Sequence, residues 1–101
     1  MNFEQLNLLV REWAEARGIY AHSNARAQLL KAMAEFGELA DAEGKEDMAG
    51  IIDGLGDTLV CLINYAAMHK LDIVACLECA YDQIKNRKGY MIQGGLFIKE
   101  E

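Results

Sequence analysis

The alternation of apolar and polar positions divides this chain into helical segments. Phe3, Leu6, Leu9, Val10 and Trp13 recur at helical spacing and predict a first helix. Asn2 stands as its N-cap and Gly18 as its C-terminal stop. Gly18 to His22 reads as a connection. Ser23 or Asn24 caps a second helix that runs to about Ala42, with Gly44 ending it. A charged turn, Gly44-Lys45-Glu46-Asp47, leads into a third helix. Lys70 and Leu71 form the next turn, and Asp72 caps a fourth helix with Ile73, Leu77, Ala80 and Ile84 on its apolar face. Lys85-Asn86-Arg87-Lys88 is its last turn, where cations suit the helix dipole, and Gly89 stops it. The tail has two short apolar runs around Gln93-Gly94-Gly95, which fits a small hairpin or an arm on a neighbouring subunit.

The two inner helices depart from the usual amphipathic pattern. Between Glu46 and His69, Asp53, Asp57 and Asn64 share one narrow stripe, with Glu46 at its foot. Nearly every other position is apolar or small, which is the pattern of a buried helix. From Gln28 to Leu39 one stripe holds Gln28, Lys31, Glu35 and Glu38, and the rest is mostly apolar. Glu35 and Glu38 are three apart and Asp53 and Asp57 four apart, so each pair shares a helix face. Carboxylates on largely buried helices repel one another unless a cation joins them. All-oxygen ligation favours Mg²⁺ or Mn²⁺ over zinc. The plainer reading, two solvated faces, fits less well because surface helices scatter charge more widely. Gly50, Gly54 and Gly56 each disfavour a helix interior by up to ~1 kcal/mol, which points to close helix–helix approach beside Asp53 and Asp57.

Length and composition narrow the picture. With 101 residues the chain is expected to be one domain, residues 1–101, and 52% apolar residues support only a small core. Proline is absent, in keeping with uninterrupted helices. The fold class expected is all-α, an antiparallel bundle of about four helices. So short a bundle does not surround its third helix alone, so a homodimer or a dimer of dimers is expected. A net charge of −6 argues against binding a nucleic-acid polymer or an anionic membrane. No stretch reads as a membrane span, and the start, Met1-Asn2-Phe3-Glu4, has no basic leader, so a soluble cytoplasmic protein is expected.

Other residues carry weaker signals. Three cysteines cannot form a full disulfide framework, and Cys76-x-x-Cys79 lacks the second pair of a zinc site. His22 and His69 read as structural or surface residues. Trp13 reads as core first and as a base-stacking residue second. Lys85, Arg87 and Lys88 fit helix-end solvation and phosphate contact equally. The helix-interior glycines are not a phosphate loop.

Three motifs then carry a family resemblance. Glu35-Phe36-Gly37-Glu38-Leu39-Ala40, Asp53-Gly54-Leu55-Gly56-Asp57-Thr58-Leu59-Val60 and Ile84-Lys85-Asn86-Arg87-Lys88-Gly89 resemble a MazG-like nucleoside triphosphate pyrophosphohydrolase. Trp13-Ala14-Glu15-Ala16-Arg17-Gly18-Ile19, Gln28-x-x-Lys31 and the ending Gly95-Leu96-Phe97-Ile98-Lys99-Glu100 resemble its short, phage-type members. The resemblance implies an all-α oligomer that uses Mg²⁺ to hydrolyse nucleoside triphosphates, often deoxynucleotides, to monophosphate and pyrophosphate. It implies Glu35, Glu38 and Asp57 as catalytic metal ligands. The family's two metal motifs are Glu-Glu-x-x-Glu and Glu-x-x-Asp. Here Ala34 stands where the first begins, and Gly54 where the second begins. Asp53, one turn before Asp57, is the candidate to replace the missing carboxylate. Lys31, Lys85 and Lys88 are expected at the phosphates, with Asn86 and Arg87 in the same motif. Gln28, Asn64 and Trp13 are candidates for the sugar or base. The rival reading, prompted by Gly54, is a nucleotide-binding or helical assembly protein that does not cleave.

Overall fold

Short polar caps start each long helix of the chain. In the computed structural model, which describes residues 1–100, five helices are followed by a two-stranded hairpin. Helix α1 spans Phe3–Ala16, and Asn2 and Gln5 form a reciprocal capping box at its start. The segment expected as a connection contains a one-turn helix, α2, Ile19–His22, after Gly18 turns the chain at φ 78°. Helix α3 runs Ala25–Gly44, with the Asn24 side chain accepting from the Ala27 amide. Helix α4 runs Met48–Met68, capped by Asp47, and α5 runs Ile73–Ile84, capped by Asp72.

The turn between α3 and α4 fixes their antiparallel pairing. Helix α3 ends at Gly44, as the sequence predicts, and Glu46 rather than a glycine takes the left-handed position beyond it, at φ 55°. The Asp47 amide donates to the Ala42 carbonyl at 2.9 Å and the Glu46 amide to Glu43 at 3.1 Å, closing the helix end in a Schellman motif. Lys70, at φ 59°, closes α4 in the same manner. The α3–α4 pair is by far the most extensive packing in the molecule, and α1 and α5 lean on α4.

Glycines set how closely the pair approaches. A Cβ on Gly54 would stand 3.0 Å from Leu39 Cβ and 3.1 Å from Leu39 Cα. A Cβ on Gly50 would stand 3.0 Å from Ala42 Cβ. Gly56 faces open space and plays no part in the crossing.

The core is small. Its buried apolar members are Ala14, Ala32, Ala42, Cys61, Ile63 and Ala66, and its largest fully buried side chains are Asn7 and Asn64. One chain does not surround its third helix, α4, as so short a bundle leads one to expect. Met48, Ile52, Leu55 and Leu59 of α4 are exposed, as are Leu30, Met33 and Phe36 of α3. The expectation that no stretch could span a membrane is corrected, since α4, with 21 residues, is long and apolar enough by that measure. It carries Asp53 and Asp57 mid-helix, where each charge disfavours a bilayer by roughly 2.5–3.5 kcal/mol.

The tail forms the hairpin alternative. Strands β1, Gly89–Met91, and β2, Phe97–Lys99, pair antiparallel with Tyr90 opposite Ile98. Gly94 and Gly95 turn the loop at φ 96° and 87°.

Candidate active site

The Gly54–Leu39 crossing brings the acidic stripes of α3 and α4 to one side of the pair. A cleft of about 270 Å³ there is lined by Glu38, Asp41, Ala42, Lys45, Asp47, Gly50, Asp53, Gly54 and Asp57. Glu35 lies one turn earlier on α3, half-buried. Partial burial raises its carboxyl above the ordinary range, and the charge of Glu38, a hydrogen bond with Glu38 and the charge of Asp57 raise it further. Lys31 opposes the shift. Cys61, one turn after Asp57, is buried and its thiol is pushed up by that burial. It senses the same Lys31, Glu35 and Asp57 charges. Glu35, Glu38, Asp57 and Lys31 therefore share one neighbourhood at mid-pair.

Asp57 also borders a second, apolar cavity of about 360 Å³, with Leu6, Leu9, Val10, Trp13 and Val60. Trp13 is about half exposed there rather than in the core. An acidic cleft and an apolar cavity thus meet at one carboxylate.

The remaining sequence candidates lie elsewhere. Asn64 is 2% exposed, and its Oδ1 accepts from the Tyr20 hydroxyl at 2.7 Å, tying α4 to α2. Gln28 Nε2 donates to Ser23 Oγ at 3.1 Å. Both amides are engaged in the fold and line neither cavity. Lys85 pairs with Asp82 at 3.2 Å on the exposed surface of α5. Asn86, Arg87 and Lys88 follow in the exposed turn and line neither cavity. A further cavity of about 960 Å³ lies between α1, α2 and the end of α4 and contains none of the candidate carboxylates.

Sequence reasoning passed over Asp41, Asp47 and Lys45 as site residues. Asp41 continues the three-residue spacing of Glu35 and Glu38, and that periodicity is the signal that points to it. Asp47 is also spent on capping, its Oδ1 accepting from the Gly50 amide at 3.1 Å.

The donor set fits a hard divalent cation: every nearby donor is a carboxylate oxygen, with no histidine or accessible thiolate among them. Among the described residues no three such side chains are already drawn together as a closed metal-binding group. The carboxylates ring an open cleft.

No family model matches the chain. Over 73 residues it is 33% identical to an uncharacterized 18.2 kDa protein of the rep-hol intergenic region of Haemophilus phage HP1. The match covers 72% of this chain and 45% of that protein, so the chain spans about half the length of that relative. Its structure is similar to that of the cyanophage S-2L MazG-like pyrophosphohydrolase bound to dGDP and three catalytic Mn²⁺ ions per active site. That similarity has a TM-score of 0.70 at 14% sequence identity, and covers 100% of this chain and 95% of the other. The chain has, over its whole length, the all-α fold of a MazG-like pyrophosphohydrolase.

Proposed function

We propose that this chain is a phage-type MazG-like enzyme, a single domain that hydrolyses nucleoside triphosphates, deoxynucleotides included, to the monophosphate and pyrophosphate with Mg²⁺ or Mn²⁺. The observation that carries the reading is the convergence of Glu38, Asp53 and Asp57 on one cleft at the crossing of α3 and α4, with Glu35 one turn away on α3. Like charges held together on a fold designed otherwise for apolar contact are the mark of a functional site. The neighbour's bound dGDP and Mn²⁺ are consistent with it.

Glu35, Glu38 and Asp57 would hold the cation, with Asp53 at the same cleft replacing the carboxylate absent at Gly54. A bound divalent cation supplies charge neutralisation and a water of lowered pKa. A carboxylate of the cleft accepts the proton of a water that attacks the α-phosphorus, and pyrophosphate departs. Lys31, beside Glu35, stabilises charge on the phosphates. The apolar cavity beside Asp57 takes the base, with Trp13 as the stacking surface. Lys85, Asn86, Arg87 and Lys88 line neither cavity of their own chain and are assigned to the phosphates of a second copy, in a homodimer or dimer of dimers. A cytoplasmic location follows from the substrate class.

Incubating the purified protein with each nucleoside triphosphate and Mg²⁺ or Mn²⁺, and measuring pyrophosphate, tests the reading. Release is expected, and Glu38→Ala should abolish it. Asp53→Ala should cut turnover at least tenfold, and unchanged turnover would remove Asp53 from the ligand set. A second reading rests on Gly54, which supplies no carboxylate and packs tightly against Leu39. A chain short of one ligand would bind nucleotide without cleaving it, or serve as a helical assembly partner. Tight nucleotide binding with no pyrophosphate would establish the binding form.

A further inference from the structure

The cysteines of α5 play no part in the acidic site. Cys76 and Cys79 are both free and both exposed, whereas Cys61 is buried. Free cysteine ordinarily behaves as a small buried hydrophobe, so packing does not account for two thiols in solvent on one helix. They stand three apart within α5, Ile73–Ile84, and therefore share a helix face. Neither lines the acidic cleft or the apolar cavity.

Helix geometry decides what such a pair can hold. Side chains three apart on a helix have Cβ atoms about 5–6 Å from one another. A disulfide needs a Cβ separation of about 3.5–4.5 Å, so an S–S bond here would pull the helix out of shape. An ion between the sulfurs asks for less. Two metal–sulfur bonds of about 2.3 Å each, opened to a straight angle, span about 4.6 Å. Rotation of two exposed side chains about χ1 meets that span on the helix as it stands.

The number of ligands then selects the ion. Asp72, one turn before Cys76, is already engaged, its Oδ1 accepting from the Val74 amide at 3.0 Å and from Asn7 Nδ2 at 3.1 Å. Asp82, three residues after Cys79, accepts from Lys85 Nζ at 3.2 Å. Among the described residues no third histidine, cysteine or carboxylate gathers with the two thiols. Two sulfurs fall short of the four-coordinate set that zinc takes. Soft thiolates suit Cu(I), a monovalent d¹⁰ ion that accepts two ligands in a line.

We propose that Cys76 and Cys79 form a two-thiolate site for Cu(I) on the open face of α5. Each thiol gives up its proton as its sulfur binds, so one Cu(I) exchanges for two protons and no electron is transferred. Binding therefore weakens as pH falls. The site is separate from the carboxylate cleft, whose oxygens suit hard ions, and it does not rest on the hydrolase reading.

Titration of the full chain, reduced and under nitrogen, with Cu(I) supplied as its acetonitrile complex tests the proposal. Thiolate-to-copper absorption in the ultraviolet should saturate at one Cu(I) per chain, and the copper should stay with the protein through desalting. Cys76→Ser and Cys79→Ser should each lose it, and Cys61→Ser should keep it. Alkylation followed by mass spectrometry reads the unmodified chain: Cu(I) should shield Cys76 and Cys79 together. If a variant loses helix content, that shielding decides. A chain that holds no Cu(I), copper that follows Cys61, one Cu(I) shared between two chains, or Zn²⁺ held as firmly as Cu(I) would each overturn the proposal.

Discussion

Tyr20 and Asn64 show how a polar residue singled out by periodicity can serve the fold. A periodic stripe placed Asn64 with Asp53 and Asp57, and the sequence alone supplied no partner for its amide. The partner lies 44 positions away, the Tyr20 hydroxyl at 2.7 Å. Tyr20→Phe should lower stability at neutral pH by about 1–3 kcal/mol in denaturant unfolding, because it leaves Asn64 Oδ1 buried without a donor. Burial raises the Tyr20 phenol above its usual 10.0, Arg11 pulls it back and Glu15 pushes it up. The folded state therefore keeps the proton longer than the unfolded one. The contribution is complete below the ordinary tyrosine value and is lost as pH rises through the raised one. The gap between wild type and Tyr20→Phe should accordingly narrow above pH 10.0.

The helices themselves were legible from spacing and caps. Asn2, Asn24, Asp47 and Asp72 all cap where the pattern placed helix starts. Helix ends were less legible, since Glu46 and Lys70 hold left-handed positions that composition assigns to glycine. The glycines of α4 looked alike in sequence and differ in space. Gly54 lies against the Leu39 backbone, whereas Gly56 meets nothing within 4 Å. Gly54→Ala should therefore destabilise the chain, the overpacking of about 1–3 kcal/mol exceeding the helix gain. Gly56→Ala should stabilise it by up to ~1 kcal/mol. Thermal unfolding of the two variants distinguishes them by sign.

At the scale of the molecule, the chain is unusually open. Its radius of gyration is 16.1 Å, against about 13 Å for a compact domain of this length. The apolar faces of α3 and α4 and both hairpin strands are bare. Association of copies over these faces is expected to add stability, and the unfolding temperature should then rise with protein concentration. Calorimetry over a hundredfold concentration range measures that rise. An unchanged midpoint would mean that the folded protomer stands alone.

The sequence by itself determined the four long helices, because caps and apolar periodicity act over one or two helical turns. It also determined the acidic pairs on each inner helix, since three- and four-residue spacing fixes a shared face. Tertiary structure alone decided which pairs meet. The approach of Leu39 to Gly54 depends on packing between segments joined by a tight turn, and no local pattern encodes the distance. It alone also decided that Asn64 is consumed by Tyr20 and that Trp13 and Asp57 border one cavity, because both depend on where α1 and α2 come to rest against α4.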